Sequence, residues 1–147
     1  MHALVVRTEE QLQECLQIRR EVFIEEQGVP EELEMDELDR VTACTHLLVR
    51  DARGCAQATA RVKRLDDETG KVQRVAVRKA ARGGGYGRIV MEAAEAVARQ
   101  LGCARVVLDA QCQAQGFYER LGYRVVSPEK FLDAGIWHVR MEKELSG

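Results

Sequence analysis

The stretch that decides the architecture runs from Lys71 to Gly102, KVQRVAVRKAARGGGYGRIVMEAAEAVARQLG. Val72 to Val77 is an apolar run with strand bias, Ile89 to Leu101 is a long helix-like stretch, and between them stand Arg82, Gly83, Gly84, Gly85, Tyr86 and Gly87. The glycines therefore sit at a strand-to-helix turn, which is an anion-binding position. The first turn of a helix leaves N–H groups without intrahelical acceptors, and the peptide dipoles add partial positive charge there, so the main chain alone can hold a phosphate. Lacking a Cβ, residues 83, 84, 85 and 87 can take φ > 0 and line a concave nest, with Arg82 and Arg88 bringing charge to its rim.

Spacing separates the loops that share this design. A Walker A loop needs Lys-Ser or Lys-Thr after its last glycine, and here Gly87 is followed by Arg88 and Ile89. A dinucleotide fingerprint could begin at Gly85 and Gly87, with Asp109 at about the right distance for a ribose hydroxyl, but its third small residue is replaced by Val90. The pattern that fits is Gln/Arg-x-x-Gly-x-Gly/Ala, met by Arg82, Gly85 and Gly87. On these residues the chain resembles the GNAT N-acetyltransferase superfamily, in which this loop holds the pyrophosphate of acetyl-coenzyme A. GFYERLGY, Gly116 to Tyr123, looks like that superfamily's second motif. RREVFIEEQGVPEELEMDELD, Arg19 to Asp39, is similar to the front end of the small bacterial ElaA-like subgroup, and with the tail LDAGIWHVRMEK the likeness spans nearly the whole chain.

The length of 147 residues is that of one ordinary domain, so a single domain over 1–147 is expected. Hydrophobic residues at 46% and charged residues at 31% describe a soluble globular protein, and a net charge of -2 argues against a general nucleic-acid binder. Cys15, Cys44, Cys55, Cys103 and Cys112 are scattered without CxxC spacing, so neither a disulfide framework nor a zinc site is indicated, and reduced thiols are the expectation. Cys112, just after a strand near the presumed cleft, is the one candidate for a reactive thiol. The N-terminus has no basic region followed by an apolar core and no apolar run nears the ~20 residues that span a bilayer. A cytoplasmic protein without membrane partner is expected.

In chain order, Ala3 to Val6 reads as a strand, and Thr8, Glu9, Glu10, Gln11 is a capping-box signature that starts a helix. Leu12, Cys15, Leu16, Arg19, Val22 and Phe23 form its mostly apolar stripe, and Gly28 and Pro30 stop it. Residues 31–39 carry six acids and read either as a solvated loop or short helix, or as a wall of the acceptor site that attracts a cationic amine. Thr45 to Arg50, Cys55 to Arg64 and Lys71 to Val77 read as an antiparallel meander, Ala104 to Leu108 as a buried parallel strand, and Gln113 to Leu121 as a second helix. Tyr123 to Val126 and Ile136 to Lys143 close the sheet, connected by residues 127–135. The fold class is thus α/β (α+β): a mixed, mostly antiparallel sheet with one central parallel β-α-β crossover and helices on both faces.

The resemblance implies that the strands matching Lys71 to Val77 and Ala104 to Leu108 splay apart, often with a bulge, and that coenzyme A enters the gap along the edge at Val75, Ala76 and Val77 as an added strand would. It implies acetyl-CoA as co-substrate, held by Arg82 to Arg88 and by Gln111 and Ala114, with Tyr118 beside the coenzyme sulfur. Glu26 is the candidate general base, and Phe23, Gln27 and His138 join it on the substrate side. His46 and His138 are further bases by pKa, each also readable as a structural strand histidine, whereas Gln73 orients a water at most. Asp109 reads either as channel lining or as a capping acid. Two functions follow: acetyl transfer to a primary amine of a small molecule or protein, or a non-catalytic acyl-CoA sensor or regulatory module. The acceptor's identity is open, and so is a homodimer.

Overall fold

Thr8 opens the first helix with both bonds of a capping box. The Gln11 N–H donates to Thr8 Oγ1 and the Thr8 N–H to Gln11 Oε1, each at 3.2 Å. The computed structural model describes residues 2–145. In it, α1 (Glu9–Arg19) follows strand β1 (His2–Val5) and runs on into a π-helical segment, Arg20–Glu26. The Gln27 N–H closes that segment by bonding the Val22 carbonyl, five residues back, at 3.1 Å. Such wide turns are rare and frequent at functional sites.

After the one-turn helix α2 (Glu31–Glu34) come β2 (Thr45–Arg50), β3 (Ala56–Arg64) and β4 (Thr69–Val77). The glycine turn then leads into α3 (Tyr86–Gln100), and the remainder is β5 (Arg105–Gln111), α4 (Gln115–Arg120), β6 (Arg124–Val125), β7 (Phe131–Asp133) and β8 (Ile136–Glu144). The sheet order is β1-β2-β3-β4-β5-β8-β6, with β7 also on β8. Among the described residues only the β4–β5 pair is parallel, so the mixed sheet with one central crossover stands as expected.

Each face of the sheet has its own core. Leu47, Val49, Ala60, Val62, Val106 and Leu108 pack under Val90, Met91, Ala94 and Ala98 of α3, while Val6, Leu48 and Ala76 pack under Leu12, Cys15 and Ile18 of α1. Burying a large aliphatic side chain contributes ~1.5–3 kcal/mol, so these stripes fix both helices on the sheet.

Two expectations change. Residues 127–135 are not merely a connection, since β7 pairs with β8 through a turn that places Ala134 and Gly135 at φ 52° and 78°. The acidic segment is solvated only in part: it contains a short helix and Glu31, Glu32 and Glu37 are exposed, but the other acids turn inward. Glu34 is 4% exposed, and it and Asp39 are buried against guanidiniums. Arg19 Nε meets Glu34 at 2.8 Å, Arg19 and Arg61 share Asp39 Oδ1 at 2.6 and 2.9 Å, and Arg61 also pairs with Asp36 at 2.6 Å. Burying these carboxylates is tolerable because each is paired and hydrogen-bonded.

The two central strands separate as the chain nears the glycine turn. Their parallel register covers Thr69, Gly70 and Lys71 against Arg105, Val106 and Val107, after which β4 continues to Val77 and β5 to Gln111 without pairing. On the other edge of β4 the register slips: Gln73 faces Arg61 and Ala76 faces Thr59, so Arg74 and Val75 together oppose Ala60. That is a β-bulge, and Arg74 adopts φ 57° within it.

Candidate active site

A cavity of about 1020 Å³ fills the space opened by the splay. Its floor is the free edge of β4, Val75, Ala76 and Val77. One wall comes from the π-helical segment and α2 with Phe23, Glu26, Gln27 and Leu33, and the other from β5, β7 and β8 with Asp109, Gln111, Asp133, Ile136 and His138. The glycine turn, with Arg82, Gly83, Gly85, Tyr86, Gly87 and Arg88, closes one end, and Ala114, Phe117 and Tyr118 lie beside it. The residues expected to hold the coenzyme and the amine, with Tyr118 and Glu26, therefore share one cavity except Gly84, which lines a neighbouring recess of about 480 Å³ with Asp51 and Gln57.

The glycines divide their work differently from the expectation that all four can line a nest. Gly83 and Gly85 both take φ 87°, and a Cβ built on either meets nothing within 4 Å, so the backbone there is left-handed and its concave side is open. Gly84 and Gly87 stay outside the left-handed region. Gly87 is small for another reason: a Cβ would approach Phe117 Cζ to 3.0 Å, so its hydrogen lets α3 and α4 close together beside the turn.

Arg82 reaches across the cavity mouth. Its Nη1 and Nη2 donate to the two oxygens of Glu26, both at 2.7 Å, and its Nε donates to the Val77 carbonyl at 3.2 Å. The Arg82 bond holds the Glu26 carboxyl below the usual carboxylate range. Above the cavity, Gln27 and Gln111 exchange amide hydrogen bonds at 3.2 and 2.8 Å, linking the end of the first helix to the end of β5.

Tyr118 is 7% exposed and packs edge-on against Phe117 and Tyr123, with ring centroids 5.0 and 5.9 Å away. Burial pushes its phenol well above the ordinary value near 10, so the hydroxyl stays protonated. His138 stacks on Phe131 and its Nδ1 lies 2.7 Å from the Ile136 carbonyl, which requires a proton on Nδ1.

Other candidates are committed elsewhere. His46 is buried and its Nε2 bonds the Leu38 and Arg40 carbonyls at 3.0 and 3.2 Å, a structural role, and burial lowers its pKa. Gln73 accepts from Arg61 Nε at 3.2 Å. Asp109 lines the cavity yet is paired with Arg140 at 2.8 Å and Lys71 at 3.6 Å. Cys112 packs against the core on the α3 face rather than lining the cavity. Arg74 carried no functional expectation and Glu34 only that of the acidic run as a whole, yet the two touch at 3.1 Å beside the bulge. Arginine carries no signal for a left-handed φ, and Glu34 lies within an acidic run. Asp133, Ala134 and Ile136 were also missed, although Asp-Ala-Gly is a readable turn signal.

YjcF of Bacillus subtilis strain 168, an uncharacterized N-acetyltransferase, is 42% identical over 144 residues, covering 98% of this chain and 100% of that protein. The crystal structure of Escherichia coli ElaA has a TM-score of 0.84 at 27% identity, covering 97% of this chain and 99% of that one. An acyl-CoA N-acyltransferase from Pseudomonas aeruginosa has a TM-score of 0.81 at 33% identity, covering 96% and 97%. With residues 6–145 matching the family described as Acetyltransferase (GNAT) domain, the chain belongs to the GNAT acetyltransferases.

Proposed function

We propose that the chain, acting as a single domain, moves an acetyl group from acetyl-CoA directly to a primary amine of a small molecule or protein. The observation that carries this reading is one cavity that brings together an open glycine nest, a free strand edge and a protonated buried tyrosine. These residues fit the coenzyme. The left-handed Gly83 and Gly85 leave room for a pyrophosphate, Arg82 supplies charge, and the β4 edge at Val75 to Val77 can pair with the amides of a pantetheine arm. Bound there, acetyl-CoA supplies an activated acetyl thioester and a thiol leaving group of pKa ~8.5.

Tyr118 donates a hydrogen bond toward the departing sulfur. Its raised pKa makes full proton transfer to a thiolate uphill, so it stabilises charge and keeps its proton. The backbone of β4 at Val75 to Val77 supplies the N–H donor toward developing negative charge on the carbonyl oxygen. On the acceptor side an amine of pKa ~10.4 is neutral in about one molecule in a thousand at pH 7. Glu26, ionised beside Phe23, Gln27 and His138, attracts the ammonium form and passes its first proton on to water, and the second, released from nitrogen as the C–S bond breaks, ends on the departing thiolate. Its bond to Arg82 is exchangeable, because a pyrophosphate in the nest takes the same guanidinium.

Calorimetric titration of the protein with acetyl-CoA, CoA and NAD, followed by thiol release over a panel of amines, tests the reading. The expected result is binding of the coenzyme A forms, no NAD signal and turnover with at least one amine. Binding without turnover across the panel would favour an acyl-CoA sensor, and no coenzyme A binding would sink both.

A further inference from the structure

Arg74 occupies a conformation its side chain does not favour. At φ 57° it lies in the left-handed region, where a Cβ crowds the following carbonyl and where arginine, unlike Asn or Asp, has no short polar group to compensate. The guanidinium shows what holds it. Nε and Nη2 donate to the main-chain carbonyl of Glu34 at 3.2 and 3.1 Å, and Nε lies 3.1 Å from the Glu34 carboxylate. Glu34 is anchored in turn, since Arg19 of α1 takes its carboxylate at 2.8 Å through Nε and its carbonyl at 2.8 Å through Nη2. Two arginines thus grip one buried residue in the same way, one from the helix and one from the bulge.

The next three residues, Val75, Ala76 and Val77, are the cavity floor. The direction of their N–H groups depends on whether Arg74 keeps its left-handed turn, since a return to ordinary β geometry would remove the bulge and shift the register along β4. We propose that Glu34 is a positioning residue for the transfer, clamping Arg74 in the left-handed conformation so that the bulge presents its main-chain donors to the reacting carbonyl. This rests on the acyl-transfer reading given above. It assigns part of the acidic segment a role distinct from attracting the amine: its buried carboxylate shapes the donor strand.

Comparing Arg74→Ala with Arg74→Gly tests the clamp, because both lack the guanidinium and only glycine accepts positive φ without strain. The first readout needs no ligand: amide resonances of Val75, Ala76 and Val77 in the free protein. Arg74→Ala is expected to displace them and Arg74→Gly to leave them near wild type. In turnover, Arg74→Ala should lower kcat about tenfold or more with acetyl-CoA affinity within about twofold, as for a misplaced oxyanion donor, while Arg74→Gly retains most of kcat. Glu34→Gln should displace the same resonances when Arg74 is present and have little effect in the Arg74→Gly background. Equal behaviour of Arg74→Ala and Arg74→Gly, or resonances unmoved in both, would overturn the proposal. Failure of the wild type to bind acetyl-CoA would sink the transferase reading instead, leaving the amide resonances to decide the clamp. If Glu34→Gln does not fold, the Arg74 pair decides alone.

Discussion

Arg82 and Glu26 close on each other across the cavity mouth through parallel bonds of 2.7 Å, although 56 residues separate them in the chain. One is the charged member of the glycine turn and the other the acid at the end of the π-helical segment, so the groups proposed for the coenzyme and for the amine neutralise each other in the free protein.

Glu26→Gln is therefore expected to act oppositely on the two halves of the reaction. Freed from its counter-charge, Arg82 should bind acetyl-CoA more tightly, by up to about fivefold for a partly exposed pair. Turnover should fall, with the loss largest below the amine's pKa. Calorimetry beside steady-state kinetics checks both. A larger fall in turnover for His138→Gln than for Glu26→Gln would move the base from Glu26 to His138.

Tyr118→Phe keeps the packing against Phe117 and Tyr123 but removes the donor. The expected result is a drop in kcat of about a hundredfold with acetyl-CoA affinity little changed. Because burial raises the phenol's pKa, the wild-type rate should show no tyrosine ionisation up to about pH 10. Full turnover in the variant would remove Tyr118 from the chemistry.

Gly85→Ala and Gly87→Ala should fail differently. At Gly85 the methyl group has space but the backbone is left-handed, so the change costs about 1–2 kcal/mol and crowds the nest. Denaturant melts should show that modest loss while titration shows acetyl-CoA binding abolished. At Gly87 the conformation is ordinary and the clash is with Phe117, so the packing of α4 is disturbed and kcat should fall more than affinity.

Glu95 of α3 is buried, accepting from the Tyr123 hydroxyl at 2.8 Å and from Lys143 Nζ at 3.0 Å. Glu95→Ala leaves a buried hydroxyl without its acceptor, an effect of about 1–3 kcal/mol. Chemical denaturation should show it, with acetyl-CoA affinity preserved because the group lies outside the cavity.

Acid should loosen the segment that holds the bulge. For Asp36 and Asp39 burial alone would raise the carboxyl pKa, but bonds from Arg61 and Arg19 respectively, with main-chain N–H donors, outweigh it and hold both below the usual value. Groups lowered in the folded state stabilise fully above their unfolded pKa of ~3.9, and that contribution is lost as pH falls through the folded value. Melting temperature should therefore decline below about pH 4, and Asp39→Asn should be less stable at pH 7 with a flatter acid limb.

What could be read from sequence was what the backbone demands locally. The glycine turn, the Thr8 cap and the meander each need particular residue types at fixed short spacings, so Gly83, Gly85, Thr8 and Gln11 were legible. The buried charges were not, because Arg19 meets Glu34 and Asp39 across 15 and 20 residues and Arg61 meets Asp39 across 22, and an acidic run looks the same facing water or a guanidinium. A hint stood in Arg19, an arginine on the apolar stripe of α1. The strand β7, three residues long, is too short for periodicity to reveal, and a left-handed arginine depends wholly on partners elsewhere.

The parallel seam between β4 and β5 joins the sheet's two halves through three registered pairs, while the antiparallel strands on either side are bound far more extensively. The sheet is thus two mechanically separate plates sharing a short weld, with α3 as the strap across it. Subglobal opening should begin at that weld, and amide exchange should sort the strands into two blocks, β1 to β4 and β5 to β8, each losing protection as a unit. A molecule wedged between the plates bonds to both, so its binding free energy is also a splint against their separation.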